Sequence, residues 1–234
     1  MISKMKKYFI MILTIVIILA EVVFSDTVAQ GSKNNPIGHP AVENTYVYID
    51  DYVELNDLMV IGDSYATLLS FYNVNAFNYI VHQGYTLKKI YEELLPLYSK
   101  NCKYVFLFIG GNDYMEQTNV YYFAMLLQNV INIFKSKGAK VILATYIEPH
   151  INKLIKSTNS FIPNAFYMPF MPYIPCSVYN EIIKNSALLN GLLYIDIADL
   201  YTKYGLYDHI HPGEKFLKEL KERLKKTVED DMAG

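Results

Sequence analysis

The sequence predicts an α/β fold: a three-layer αβα sandwich around a five-stranded parallel sheet in the order 2-1-3-4-5. Three observations point to it. Short, wholly apolar runs, such as YVFLFI at 104–109, read as strands buried on both faces. Stretches with apolar residues at helical spacing separate them. The two kinds of segment alternate along the chain, and right-handed crossovers leave few ways to arrange such an alternation. A chain of 234 residues without internal repeats suits one sheet and one core.

In order, residues 58–61 form the first strand, which runs into Gly62-Asp63-Ser64. Residues 77–81 form the second, ending in His82-Gln83-Gly84. Leu87, Ile90, Tyr91, Leu94 and Tyr98 then recur at helical spacing. The third strand, 104–109, stops at Gly110-Gly111-Asn112-Asp113. A long helix over 120–137 is closed by Gly138, a common C-terminal stop. Residues 141–145 are the fourth strand. Val178, Ile182, Ile183 and Leu189 mark a helix ending at Asn190-Gly191, and 192–197 is the fifth strand. The last helix, over 214–228, places Leu217, Leu220, Leu224 and Val228 on one face and charges opposite. One segment breaks the rhythm: 148–176 carries prolines at 163, 169, 172 and 175. A connection of that length is usually functional.

Ahead of the sheet, Lys4, Lys6 and Lys7 precede an uncharged apolar run at 8–20, with a small-residue exit near 27–29. This fits an export signal, and the longer stretch 8–24, interrupted at Glu21, reaches the lower length limit for an uncleaved anchor. Residues 1–29 are therefore read as signal peptide or N-terminal membrane anchor. Residues 30–57, polar and broken by Pro36, Gly38 and Pro40, read as a tether, and 58–234 as the exported domain, secreted or held at the cell surface. Membrane contact is expected only through 8–24, if that segment is retained.

Composition narrows the function. Hydrophobic residues make up 52%, which excludes a disordered chain. Twenty-one basic against 23 acidic residues give a net charge of −2, which argues against a nucleic-acid partner. Arg223 is the one arginine, so a site built on arginine forks is excluded. Cys102 precedes a strand and Cys176 a helix, hence opposite ends of the sheet, and they are expected to remain thiols rather than to form a disulfide.

In an open parallel sheet, ligands bind beyond the carboxyl ends of the strands. Ser64, Gly84 and Asn112 fall there, as does Asp208-His209-Ile210-His211 before the last helix. Each alone has a plain explanation: a helix cap, two turns, a solvated loop. Together on one rim they offer acyl transfer.

Gly62-Asp63-Ser64, Gly84, Gly111-Asn112-Asp113 and Asp208-x-x-His211, in that order over roughly residues 55–228, resemble the four blocks of the SGNH (GDSL-type) hydrolases. The resemblance implies a flavodoxin-like SGNH hydrolase fold and a serine esterase. Ser64 would be the nucleophile, His211 its base, and Asp208 the group that orients and stabilises the imidazole. The backbone N–H groups of Ser64 and Gly84, with the Asn112 amide, would form the oxyanion hole. Asp63 and Asp113 would support the loops, and neither metal nor cofactor is implied. Gly84 is read as a place where a side chain would obstruct the approach of backbone to substrate. The sequence departs from the pattern at Tyr65, where many members have leucine, and after His211-Pro212; neither departure is expected to touch a group that does chemistry.

Other readings are weaker on the residues. The nucleophile elbow of the α/β-hydrolases needs a glycine where Ala66 stands, and several strands before its serine. A metal site from His209, His211, Asp208 and Asp63 has no well-placed third histidine. A noncatalytic carbohydrate-binding module, an O-acyltransferase and a lipid esterase could share these features. Phe166, Tyr167, Phe170 and Tyr173 lie in the insert that leaves the same rim as Ser64, and are candidate substrate contacts that stack on sugars or line an acyl pocket. With no arginine clamp, they favour neutral esters, such as O-acetyl groups on an extracellular or cell-surface carbohydrate.

Overall fold

None of the five side chains of β4 (Tyr104–Phe108) is exposed. Such a run is stable only in a strand covered on both faces. In the computed structural model, which describes residues 45–48, 55–73, 76–98, 102–146, 174–207 and 210–234, β4 is a central strand of a six-stranded sheet. These residues fall within the unit Glu43–Gly234. The expected signal or anchor at 1–29 lies outside the described residues, as does most of the stretch read as a tether.

Strands β2 (Leu58–Gly62), β3 (Asn78–His82), β4, β5 (Lys140–Ala144) and β6 (Leu193–Ile195) are all parallel. Their order, β3-β2-β4-β5-β6, is the expected 2-1-3-4-5. Strand β1 (Thr45–Tyr48) adds an antiparallel edge beside β3, with Thr45 opposite His82. It falls in the stretch read as a tether. Its four residues, TYVY, are good strand formers but too few to carry a period.

Helix α1 (Ser64–Tyr72) and α7 (Glu214–Ala233) pack together, and α6 (Ala198–Tyr204) packs on α7. Helix α2 (Leu87–Lys89) runs on into a π-helical turn, Ile90–Leu94, and a 3₁₀ turn, Leu95–Leu97; it packs on α4 (Val120–Ser136), which also meets α5 (Cys176–Asn190). On α7 the residues Phe216, Leu217, Leu220, Leu224 and Val228 are fully buried, so the expected apolar face is the packed one. Gly110 to Asp113, expected as a turn, opens a short helix, α3 (Gly111–Met115). The fifth parallel strand is three residues rather than six, because Asp196 already turns the chain toward α6, its side chain accepting the Ala198 N–H at 2.9 Å. Cys102 and Cys176 are both buried, and no disulfide joins them.

From β2 the chain crosses to β3 on one side, then returns past β2 to β4 on the other. Direction therefore reverses between β2 and β4, and a crevice opens beyond their carboxyl ends. Ser64 follows one of these strands and Asn112 the other.

Candidate active site

Strand β2 ends against β4 so tightly that a Cβ on Gly62 would stand 2.1 Å from the Phe108 carbonyl oxygen. The close approach sets a sharp turn. Asp63 follows as the N-cap of α1, its Oδ1 accepting the Tyr65 N–H at 3.0 Å. Ser64 is the first residue of the helix, and it is partly open while Asp63 and Tyr65 on either side are buried. A helix leaves its first N–H groups without intrahelical acceptors. The Ser64 hydroxyl and amide thus both sit where positive helix-dipole potential gathers.

His211 comes 147 residues later, in the loop between α6 and α7, with Nε2 3.2 Å from Ser64 Oγ. The loop is closed on itself: the Tyr207 N–H donates to the His211 carbonyl at 2.7 Å, and Leu206 pairs with Pro212. It is also held from the side, because the Tyr65 hydroxyl donates to the Ile210 carbonyl. The Tyr65 and His211 ring centroids are 6.0 Å apart. The departure at position 65 bears on the site through the residue that precedes His211. Asp208 and His209 lie outside the described residues.

Gly84 sits two residues past β3 at φ +76°, a left-handed conformation that L side chains rarely adopt. A Cβ there would meet nothing within 4 Å. The backbone angle by itself calls for glycine here, and the protein leaves the space beside it open. Asn112, the second residue of α3, is partly open and donates from Nδ2 to the Tyr85 carbonyl at 3.2 Å. An amide group has two N–H donors, and this bond occupies one. Asp113 reaches the same segment, its Oδ2 accepting the Leu87 N–H at 2.8 Å. Two bonds therefore fix the Gly84 loop to the Asn112 helix.

Beneath these loops lie two buried carboxyl groups. Burial pushes Asp63 up to about 7; the Tyr65 N–H opposes the rise, the Asp113 charge adds to it, and the N–H groups of Asn112 and Gly111 oppose it. Asp113 is pushed up to about 6, again chiefly by burial, against the Leu87 N–H and a bond to Thr118. Among the described residues, Asp63 Oδ2 and Asp113 Oδ1 have no hydrogen-bond partner. A buried carboxylate short of partners holds its proton more tightly than one in water. Asp63 caps the Ser64 helix, and Asp113 joins the Asn112 helix to the segment that follows Gly84. The loop-supporting role expected of both is structurally concrete.

Sequence reasoning missed Tyr146, which follows β5. Its backbone is clamped by Asn180 of α5, which accepts the Tyr146 N–H and donates to its carbonyl, each at 2.8 Å. Its ring lies 4.4 Å from that of Tyr65 and so close over Gly111 that a Cβ there would be 1.9 Å from it. Only the glycine of the GGND run, followed by an apolar strand ending in a tyrosine, hinted at such a contact. Phe166, Tyr167, Phe170 and Tyr173 lie outside the described residues. Ile174, at the exit of their segment, is held by Gln117, which accepts its N–H at 2.7 Å and donates to its carbonyl at 3.2 Å.

At the level of sequence neither a family model nor a curated protein matches the chain. Solved structures do match it in fold. A GDSL-like lipase from Bacteroides thetaiotaomicron superposes with a TM-score of 0.55 at 17% identity, over 74% of this chain and 88% of that one. The psychrotrophic esterase EstA from a Pseudoalteromonas species gives 0.52 at 13% identity, over 76% and 98%. The acetyl xylan esterase AlAXEase gives 0.51 at 18%, over 73% and 99%. The fold is that of the SGNH/GDSL hydrolases.

Proposed function

We propose that the protein is a serine esterase that removes acyl groups, O-acetyl groups foremost, from an extracellular or cell-surface carbohydrate. The observation that carries this reading is the pairing of Ser64 Oγ with His211 Nε2, 3.2 Å apart at the crevice between β2 and β4. A serine hydroxyl attacks an ester only when a base takes its proton, and a neutral imidazole at hydrogen-bond distance can do so. The alkoxide carbon–oxygen bond forms, the carbonyl becomes tetrahedral, and charge gathers on its oxygen. The N–H groups of Ser64 and Gly84 and the second N–H of Asn112 would receive that charge. His211 then returns its proton to the leaving alcohol, and water repeats the sequence to release the acid. Asp208, three residues before His211, would fix the tautomer and stabilise the imidazolium.

One arginine in the chain leaves no clamp for an anionic substrate, and Arg223 is engaged on the far helices, donating to Asp199 at 2.8 Å. The insert aromatics would offer faces for sugar rings. Likeness in fold to an acetyl xylan esterase is consistent with an acylated carbohydrate. Export through residues 1–29 would bring the domain to such a polymer.

The test is hydrolysis of p-nitrophenyl acetate, longer p-nitrophenyl esters and acetylated glycans by the full chain, beside Ser64→Ala and His211→Ala. The wild type should prefer acetate, and each substitution should lower kcat by about 10³-fold or more. Wild type and Ser64→Ala equally inert on every ester would end the enzymatic reading.

A further inference from the structure

Ser64 and Tyr65 are neighbours on α1, and Ile210 and His211 are neighbours in the loop before α7. Two links join these pairs side by side: Ser64 Oγ with His211 Nε2, and the Tyr65 hydroxyl with the Ile210 carbonyl. The second link does not depend on a flexible surface group. Tyr65 is fully buried, with its ring edge-on to Phe108 at 5.3 Å and tilted against Tyr146 at 4.4 Å. The Tyr146 phenol is itself hydrogen-bonded to Tyr65, and burial foremost holds it protonated, so it acts as a donor. Tyr146 is in turn clamped by Asn180. A chain of contacts thus runs from α5 through Tyr146 and Tyr65 to the backbone beside His211.

We propose that Tyr65 is a positioning residue, whose hydroxyl sets the place of the His211 loop against the nucleophile helix. This rests on the reading of Ser64 and His211 as nucleophile and base. The loop 205–213 has its own closure, from Tyr207 to His211 and from Leu206 to Pro212, but that closure fixes only its shape. The packing of α7 on α1 holds the helices at either end of the site, and the Ser64–His211 contact joins two rotatable side chains. The phenol supplies a second point of attachment, one residue away on each side. A displacement of about 1 Å in such a pair can cost on the order of 100-fold in rate.

The experiment uses the full chain and four proteins: wild type, Tyr65→Phe, His211→Ala and the double variant. Tyr65→Phe keeps the ring and removes only the hydroxyl, so kcat should fall about 10- to 100-fold with KM nearly unchanged. In the His211→Ala background the same substitution should cost almost nothing, since the base it positions is gone. Equal losses in both backgrounds, or wild-type kcat in Tyr65→Phe, would overturn the proposal. Tyr65→Leu, with the residue common at this place in the resembling family, should show the same loss and the same background dependence. A second measurement stands apart from catalysis: amide exchange at Tyr207 and His211 should quicken in Tyr65→Phe while amides of β4 keep wild-type protection. Unchanged exchange in the loop would overturn the proposal even if no ester were hydrolysed. An inert wild type with quickened loop exchange would sink the esterase reading alone.

Discussion

Asp63 carries a proton balance that a titration of stability can read. Burial, and then the Asp113 charge, raise it to about 7, and Asp113 itself is raised to about 6. A carboxyl group whose pKa is higher folded than unfolded binds more protons in the native state across the interval between the two values. Stability then falls as pH rises through that interval, so these two groups favour the fold fully below about pH 4 and cease to do so above about pH 7. Asp199, Glu214 and Asp231 are lowered, by hydrogen bonds to Arg223, Lys218 and Lys140 respectively. Those three groups act in the opposite sense but below about pH 4, outside the window. Thermal unfolding should therefore show Tm lower at pH 8 than at pH 5 by about 10 °C. Asp63→Asn, which cannot titrate, should flatten that slope. A wild-type Tm that is level or rises over the same range would contradict the account.

At the scale of elements, three glycines of the rim serve different ends. Gly84 is needed for its backbone angle, Gly62 for the approach of β4, and Gly111 for the ring of Tyr146. Gly111→Ala would drive a methyl group to within about 2 Å of a fully packed ring that also bears on Tyr65, and overpacking of that kind costs about 2–4 kcal/mol. Urea unfolding should show a midpoint lowered accordingly, with Gly84→Ala costing less, about 1–2 kcal/mol, from strain alone. Equal small losses at both positions would refute the assignment. These contacts also show what was legible beforehand. Buried parallel strands announce themselves by unbroken apolar runs, so β2 to β5 and the order of five strands could be read directly. Strand β1 could not: its four residues gain stability only from β3, which is remote in sequence. Tyr146 and the contact that Tyr65 makes were invisible for the same reason, since the partners Gly111 and Ile210 are known only once the chain is folded.

For the whole molecule, the doubly wound topology performs the essential step. Reversal of strand order between β2 and β4 places the Ser64 turn and the Asn112 helix on either side of one crevice, and the last loop before α7 delivers His211 to it. The ordered motifs could suggest this convergence because each follows a strand end or precedes the last helix, and parallel strands put all their ends on one rim. They also pointed to Asp63 and Asp113 as supports of the loops; what they could not give was the tyrosine that ties the His211 loop to α1. The central claim is that Ser64 is made nucleophilic by His211. It is tested most directly by treating the protein with an activated phosphonate ester and locating the adduct by mass spectrometry. The account predicts one phosphonyl group, on Ser64, formed at least about 100-fold more slowly in His211→Ala. An adduct elsewhere, or labelling of Ser64 at the same rate without His211, would contradict it.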